Sequence, residues 1–201
     1  MVSAQALAGP SLFLDDPKSA KLKPYRTLDE MRAADVVLAG TAGELVGTEG
    51  KALAVIEEVV DFATALVCAE AVGAMKFACD TTLEYLKTRK QFGVPIGTFQ
   101  ALQHRMVDMY VAYEQAKSMA CLACSRVDGA TDATERARSV SSAKIKISDN
   151  ARLVSQEAIQ LHGGMGMSEE LKVSHTFRRL TMIAQQFGDA DHHLARFARL
   201  G

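Results

Sequence analysis

Arg89, Lys90 and Gln91 stand together where a long apolar stretch gives way to Phe92-Gly93 and Pro95. A guanidinium offers a planar fork of donors and a glutamine amide adds another, so the grouping suits a phosphate or pyrophosphate. The same residues also read as a solvated helix end whose cations complement the helix dipole. A second stretch, Gln160-Leu161-His162-Gly163-Gly164-Met165-Gly166-Met167-Ser168, carries three glycines in four positions. Glycines there permit close approach of a ligand and unusual backbone angles. No strand pattern precedes the stretch and no Lys-Ser/Thr follows it, so it is neither a P-loop nor a dinucleotide fingerprint. A tight interhelical turn is the plainer reading of its residues.

Other candidates are weaker. Cys121-Leu122-Ala123-Cys124 has C-x-x-C spacing without a second pair, whereas structural zinc wants four ligands. It reads as helical core filler. His192-His193, beside Asp189 and Asp191, could meet a metal but reads better as surface near the chain end. His104 and His175 are expected on solvated or interhelical faces.

The elements that must position these residues follow from periodicity. Before residue 50, β-like runs such as Ser11–Leu14 and Asp35–Leu38 alternate with glycine and proline, predicting two or three strands. So few strands are only marginally stable alone and read as a piece of a larger sheet. Residues 51–89 carry no proline and are apolar almost all round, which predicts a buried helix ending at Gly93 and Pro95. Phe99, Leu102, Met106, Met109, Tyr113, Ala116, Ala120, Ala123 and Val127 alternate spacings of 3 and 4. That is the seam of nearly parallel helix packing, with Thr98 as expected N-cap and Asp128-Gly129 as closure. A third helix starts near Thr131 or Asp132 and runs to about His162 on a seam of small residues (Ala133, Ala137, Val140, Ile147, Ala151, Val154, Ala158, Leu161), stopped by Gly163-Gly164. A fourth is expected from about Ser168 to Phe187 and a short fifth from about Asp189 to Leu200. Long helices joined by short loops make an antiparallel bundle. The fold class is therefore mainly α: an antiparallel four-helix bundle over 51–201, preceded by a few strands over 1–50.

Composition narrows the partners. With 23 Lys+Arg against 24 Asp+Glu, the net charge is −1, which offers no electrostatic footprint for nucleic acid. No uncharged apolar run approaches the roughly 20 residues needed to cross a bilayer. The N-terminus lacks the basic and apolar regions of a signal peptide. Four cysteines (Cys68, Cys79, Cys121, Cys124) lie among apolar neighbours, as reduced thiols do, so a cytoplasmic setting is expected.

Taken together, Lys87-Thr88-Arg89-Lys90-Gln91-Phe92-Gly93-Val94-Pro95-Ile96-Gly97, Phe99-Gln100 through Asp108-Met109, and Ile159-Gln160-Leu161-His162-Gly163-Gly164-Met165-Gly166 resemble the carboxyl-terminal domain of the acyl-CoA dehydrogenase family. The resemblance covers residues 51–201. Residues 11–50, including Tyr25-Arg26-Thr27-Leu28-Asp29, resemble the last strands of the family's middle β-domain. The resemblance implies an FAD-dependent enzyme that desaturates an acyl-CoA thioester between Cα and Cβ. A glutamate takes the α-proton, and the β-hydrogen leaves as hydride to flavin. It implies that Arg89, Gln91, Phe92 and Gln100, together with Gln160, His162, Gly163 and Gly164, contact FAD bound mainly to a neighbouring subunit. Arg89 would meet the pyrophosphate. The implied partners are an acyl-CoA substrate, further subunits and an electron acceptor such as an electron-transfer flavoprotein. With a first domain and most of a second lacking, the chain reads as a fragment, a processed product or a short reading frame.

Departures from the family pattern are as informative. Gly188 stands where the resemblance places the glutamate, in Phe187-Gly188-Asp189-Ala190-Asp191, and Ala63 stands at the alternative base position on the first bundle helix. Neither can remove a proton. Asp61, Glu70 and Asp189 are nearby but poorly placed in register and length. Ala190 and His192 replace the family's Thr-like and Gln-like flavin contacts. The expected role is a chain that completes the flavin site beside a base-bearing partner, as in heteromeric members acting on sterol side-chain CoA esters. The alternatives are a self-sufficient dehydrogenase represented in part, and a flavin-free helical interaction module.

Overall fold

The computed structural model describes residues 1–16, 18, 20–129 and 132–200. The chain divides into two compact units, Met1–Val60 and Asp61–Gly201.

In the first unit, strands β1 (Val2–Ala6), β2 (Gly9–Asp15), β3 (Lys21–Arg26), β4 (Arg32–Val37) and β5 (Gly43–Val46) outnumber the two or three expected. Weak alternation in β1, β3 and β5 hid them from a reading of periodicity. They form an antiparallel sheet in the order β1-β2-β5 and a separate β3-β4 ribbon. Buried Ser11 ties the first sheet to the chain that follows it: its hydroxyl donates to Gly9 O at 3.1 Å and accepts from Gly50 N at 2.8 Å. Leu22, Tyr25 and Val36 of the ribbon stay exposed.

The second unit is the bundle, whose first helix begins within the residues of the first unit. Helix α1 (Ala52–Thr88) leads to a small hairpin of β6 (Lys90–Gln91) and β7 (Val94–Pro95), then a 3-10 turn at Ile96–Thr98. There follow α2 (Gln100–Gly129), α3 (Ala133–His162), a 3-10 turn at Gly163–Met167, α4 (Lys172–Gln185) and α5 (Ala190–Arg199). The fourth expected helix therefore starts four residues late, because residues 168–171 form a turn first, with Glu170 N donating to Ser168 Oγ at 3.1 Å and Leu171 N to Ser168 O at 3.3 Å. Helix α3 packs against α2, α4 and α5. Arg105 to Glu157 and the Asn150 amide to Ala112 O fix α2 and α3 antiparallel.

The small-residue seam explains this centre. Ala137, Val140, Ile147, Ala151, Val154, Ala158 and Leu161 are all buried, and only Ala133 in the first turn is exposed. On α2, Met109, Tyr113, Ala116, Ala120 and Ala123 bury as the spacing requires. A buried valine, leucine or isoleucine contributes about 1.5–3 kcal/mol. Asp132 caps α3 by accepting from Thr134 N, while the alternative start at Thr131 lies outside the described residues. Gly163 ends α3 at φ 60, which glycine tolerates at no steric cost.

Several expectations are corrected. Thr98 does not cap α2: its hydroxyl donates to Pro95 O at 2.8 Å, and Phe99 O receives the first helical amides. Helix α1 is not buried all round. Val55, Val59, Phe62 and Leu66, spaced 4, 3, 4, form an exposed apolar stripe. Of the C-x-x-C pair, half-buried Cys124 packs against the core as expected but Cys121 is exposed and is not core filler, while Cys68 and Cys79 are buried free thiols. His193 is not a surface residue: it is 1% exposed, held between Ser141 Oγ at 3.2 Å and Phe187 O at 3.0 Å. Among the described residues no His/Cys/Asp/Glu group could hold a metal, and no helix is long and apolar enough to cross a membrane.

Candidate functional site

The Arg89 segment owes its shape to a two-residue turn. Phe92 and Gly93 both have positive φ, 54 and 82, the type I′ geometry that suits a tight hairpin. Ile96 N then donates to Arg89 O at 2.8 Å, closing the loop at its base. Gly97 lets this loop lie on α1, since a Cβ there would stand 2.9 Å from Leu86 O. Gly166 does the same for the second segment, with a Cβ clashing at 2.6 Å from Ile159 O.

These turns bring the two sequence segments together. Arg89 and Gln91 share one open cavity of about 490 Å³ with Gln160, His162, Gly163 and Gly164. Six of the eight expected cofactor contacts are thus collected. The Gly163 and Gly164 positions face open space, with nothing within 4 Å of an added Cβ, so they leave room for a ligand close to the backbone. Arg89, Gln91 and Gln160 are exposed, and their side chains have no hydrogen-bond or ion-pair partner among the described residues. Such uncommitted donors can meet an anion. The buried Nε2 of His162 is likewise without a partner.

Phe92 and Gln100 do not line this cavity. Phe92 sits at the hairpin tip, 90% exposed, its ring edge-on to Phe99 at 6.1 Å. Gln100 is the exposed first residue of α2. Sequence reasoning missed Tyr85, which lines the cavity beside Ile96, Leu161 and Met165. The signal was available: Tyr85 precedes Arg89 by one helical turn and shares its face.

The carboxylates weighed as substitute bases are structurally occupied. Asp61 is 0% exposed and receives Arg136 at 3.1 Å and Arg196 at 2.6 Å. Glu70 takes a two-pronged contact from Arg179 at 2.5 and 2.7 Å. Asp189 caps α5 by accepting from His192 N at 2.8 Å. At Gly188 the backbone has φ +103, and an added Cβ would lie 2.4 Å from His192 Cδ2. Ala63 is half-buried on α1; Ala190 is the first residue of α5 and His192 is exposed.

Comparison with known proteins gives the family and the fold. Residues 50–200 match the family described as "Acyl-CoA dehydrogenase, C-terminal domain". The acyl-CoA dehydrogenase IpdE2 of Mycolicibacterium smegmatis is 34% identical over 191 residues, covering 95% of this chain and 56% of its own. The fold is similar to the Tcur3481-Tcur3483 steroid ACAD (G363A variant), with TM-score 0.87 and 29% identity over 99% of this chain and 54% of that one. It is similar, too, to the ChsE4-ChsE5 complex of Mycobacterium tuberculosis, with TM-score 0.88 and 25% identity over 98% of this chain and 54% of that one. The chain belongs to the acyl-CoA dehydrogenase family. It spans about half the length of these relatives.

Proposed function

We propose that this chain completes the flavin site of an FAD-dependent acyl-CoA dehydrogenase and leaves proton abstraction to a partner subunit. The observation that carries the reading is the shared cavity: two polar turns some seventy positions apart in sequence converge on one concave surface. FAD, when bound, supplies the two-electron redox chemistry. The chain's own residues bind and orient it. The Arg89 guanidinium meets the pyrophosphate, Gln91 and Gln160 donate from the rim, and Gly163-Gly164 let the ligand approach the main chain. Phe92 and Gln100, outside the cavity, wall the flavin of a neighbouring subunit. Residues 1–50 belong to a middle β-domain.

The division of labour follows from the carboxylates. Asp61, Glu70 and Asp189 are each engaged in ion pairs or a helix cap, and Ala63 and Gly188 have no side chain that accepts a proton. A second acyl-CoA dehydrogenase chain therefore brings the base, and the ChsE4-ChsE5 complex is a relative assembled from two differently named chains. Electrons leave to an acceptor such as an electron-transfer flavoprotein.

Co-expression with a base-bearing family member tests this. Bound flavin and acyl-CoA-dependent dye reduction are expected only from the co-purified pair, with both lost in Arg89→Ala. Full turnover by this chain alone overturns the non-catalytic assignment, and flavin uptake indifferent to Arg89 favours a flavin-free interaction module.

A further inference from the structure

Tyr85 touches both halves of the cavity it lines. On the α1 side its carbonyl accepts from Arg89 N at 2.8 Å, which extends the helical ladder to the residue carrying the guanidinium. On the α3 side its hydroxyl donates to His162 O at 3.3 Å. Its ring also lies on the His162 imidazole, with centroids 4.4 Å apart and a tilt of 31°.

The carbonyl that the hydroxyl meets needs a partner from elsewhere. His162 is the last residue of α3, and the last four carbonyls of a helix find no amide within it. The glycine-rich turn that follows bonds locally: Gly163 N donates to Gln160 O and Ser168 N to Met165 O. Among the described residues, the Tyr85 hydroxyl is the donor that reaches this segment from α1. Arg89 and the turn lie far apart in sequence, so their separation is set by packing and by this contact. A ligand gripped at two points binds well only when both grips match its span, which is why groups around a site need supports of their own.

We propose that Tyr85 is a positioning residue of the flavin site: it holds the glycine-rich turn against the helix that carries Arg89, so that both meet one dinucleotide. The inference rests on the flavin reading and gives Tyr85 no contact with the reacting atoms.

Flavin fluorescence titration of the flavin-stripped pair, this chain with a base-bearing family member, tests it. Tyr85→Phe keeps the ring contact and removes the hydroxyl. It should bind FAD about fivefold more weakly, the loss of one net hydrogen bond. The pair should melt no more than about 4 °C lower. In an Arg89→Ala background the same change should alter affinity less than about twofold, because one of the two grips is already gone. If Tyr85→Phe binds FAD like the wild type while Arg89→Ala does not, the Tyr85 assignment falls and the flavin reading survives. An equal loss with and without Arg89 also overturns the assignment, since the hydroxyl then acts independently of the spacing. If the pair takes up no FAD, or Arg89→Ala binds it unchanged, both fall. Should Tyr85→Phe melt much lower, the two backgrounds still decide, because a general loss of folded protein weakens both alike.

Discussion

Asp61 and Arg196 are 135 positions apart and meet at 2.6 Å, joining the first bundle helix to the last. Arg136 of α3 reaches the other carboxylate oxygen at 3.1 Å. Arg196 also contacts Ser141 Oγ at 3.4 Å, and that hydroxyl lies 3.2 Å from His193 Nδ1. One polar network thus pins α5 to α1 and α3. It also removes Asp61 from any role as a base, since its carboxylate is enclosed by the two guanidinium groups it pairs with.

Breaking a buried pair by removing one partner costs about 3–5 kcal/mol, because a charge is left without compensation. Both arginines here retain some solvent contact, so Asp61→Asn should cost about 3 kcal/mol. Urea unfolding measures it. A loss under about 1 kcal/mol would show that solvent already supports the two arginines.

His193 makes stability depend on pH. Burial, the dominant cause, lowers its pKa from 6.5 to about 4. The folded chain keeps the imidazole neutral while the unfolded chain takes up a proton below pH 6.5. Stability is therefore unaffected by this group above that pH and is lost as pH falls from 6.5 towards 4. The loss levels off beneath, after a total of about 3 kcal/mol. Buried His162, whose pKa is also lowered by burial, acts with the same sign. The difference in unfolding free energy between wild type and His193→Gln should shift with pH across that window and stay constant from pH 7 to 8.

The bundle was legible because its seams obey helical periodicity over many turns: the central seam positions of α2, from Met109 to Ala123, and those of α3 from Ala137 to Leu161 are buried. The site was legible in parts. Arg89 and Gly163 could be named from residue type, but their convergence depends on the positive φ of Phe92 and on the close approaches at Gly97 and Gly166, which spacing does not encode. Tyr85 was hidden in an apolar helix face. His193 was misplaced because a His-His pair near a chain end looks solvated, whereas α5 turns one histidine inward onto Ser141. The α1 stripe was misjudged for a different reason: apolar residues on every side say only that a helix is to be covered, not by which chain.

That stripe has a consequence for assembly. Val55, Val59, Phe62 and Leu66 are 52, 60, 47 and 54% exposed on one face, in the spacing that helix partners use. Leu66→Glu should leave the monomer's melting temperature within about 1 °C, since surface substitutions are usually worth less than ±0.5 kcal/mol. It should shift sedimentation of the chain, alone or mixed with a base-bearing family member, towards smaller species. Unchanged sedimentation at all concentrations would show that the stripe is not an interface.

Gly188, where the resemblance places the family's glutamate, tests whether the turn there admits a side chain. Its φ of +103 lies where residues with a Cβ are strained, and His192 Cδ2 stands where that Cβ would go. The imidazole of His192 is exposed and can swing aside, so the backbone sets the cost. Gly188→Ala should therefore destabilise the chain by about 1–2 kcal/mol. The same penalty should remain when His192 is also replaced by alanine, as compared in a double-mutant cycle of chemical unfolding. If the penalty disappears with His192, the backbone is not the obstacle, and restoring a glutamate at 188 becomes a matter of one neighbouring side chain. If it persists, a base at this position requires the turn between α4 and α5 to be rebuilt.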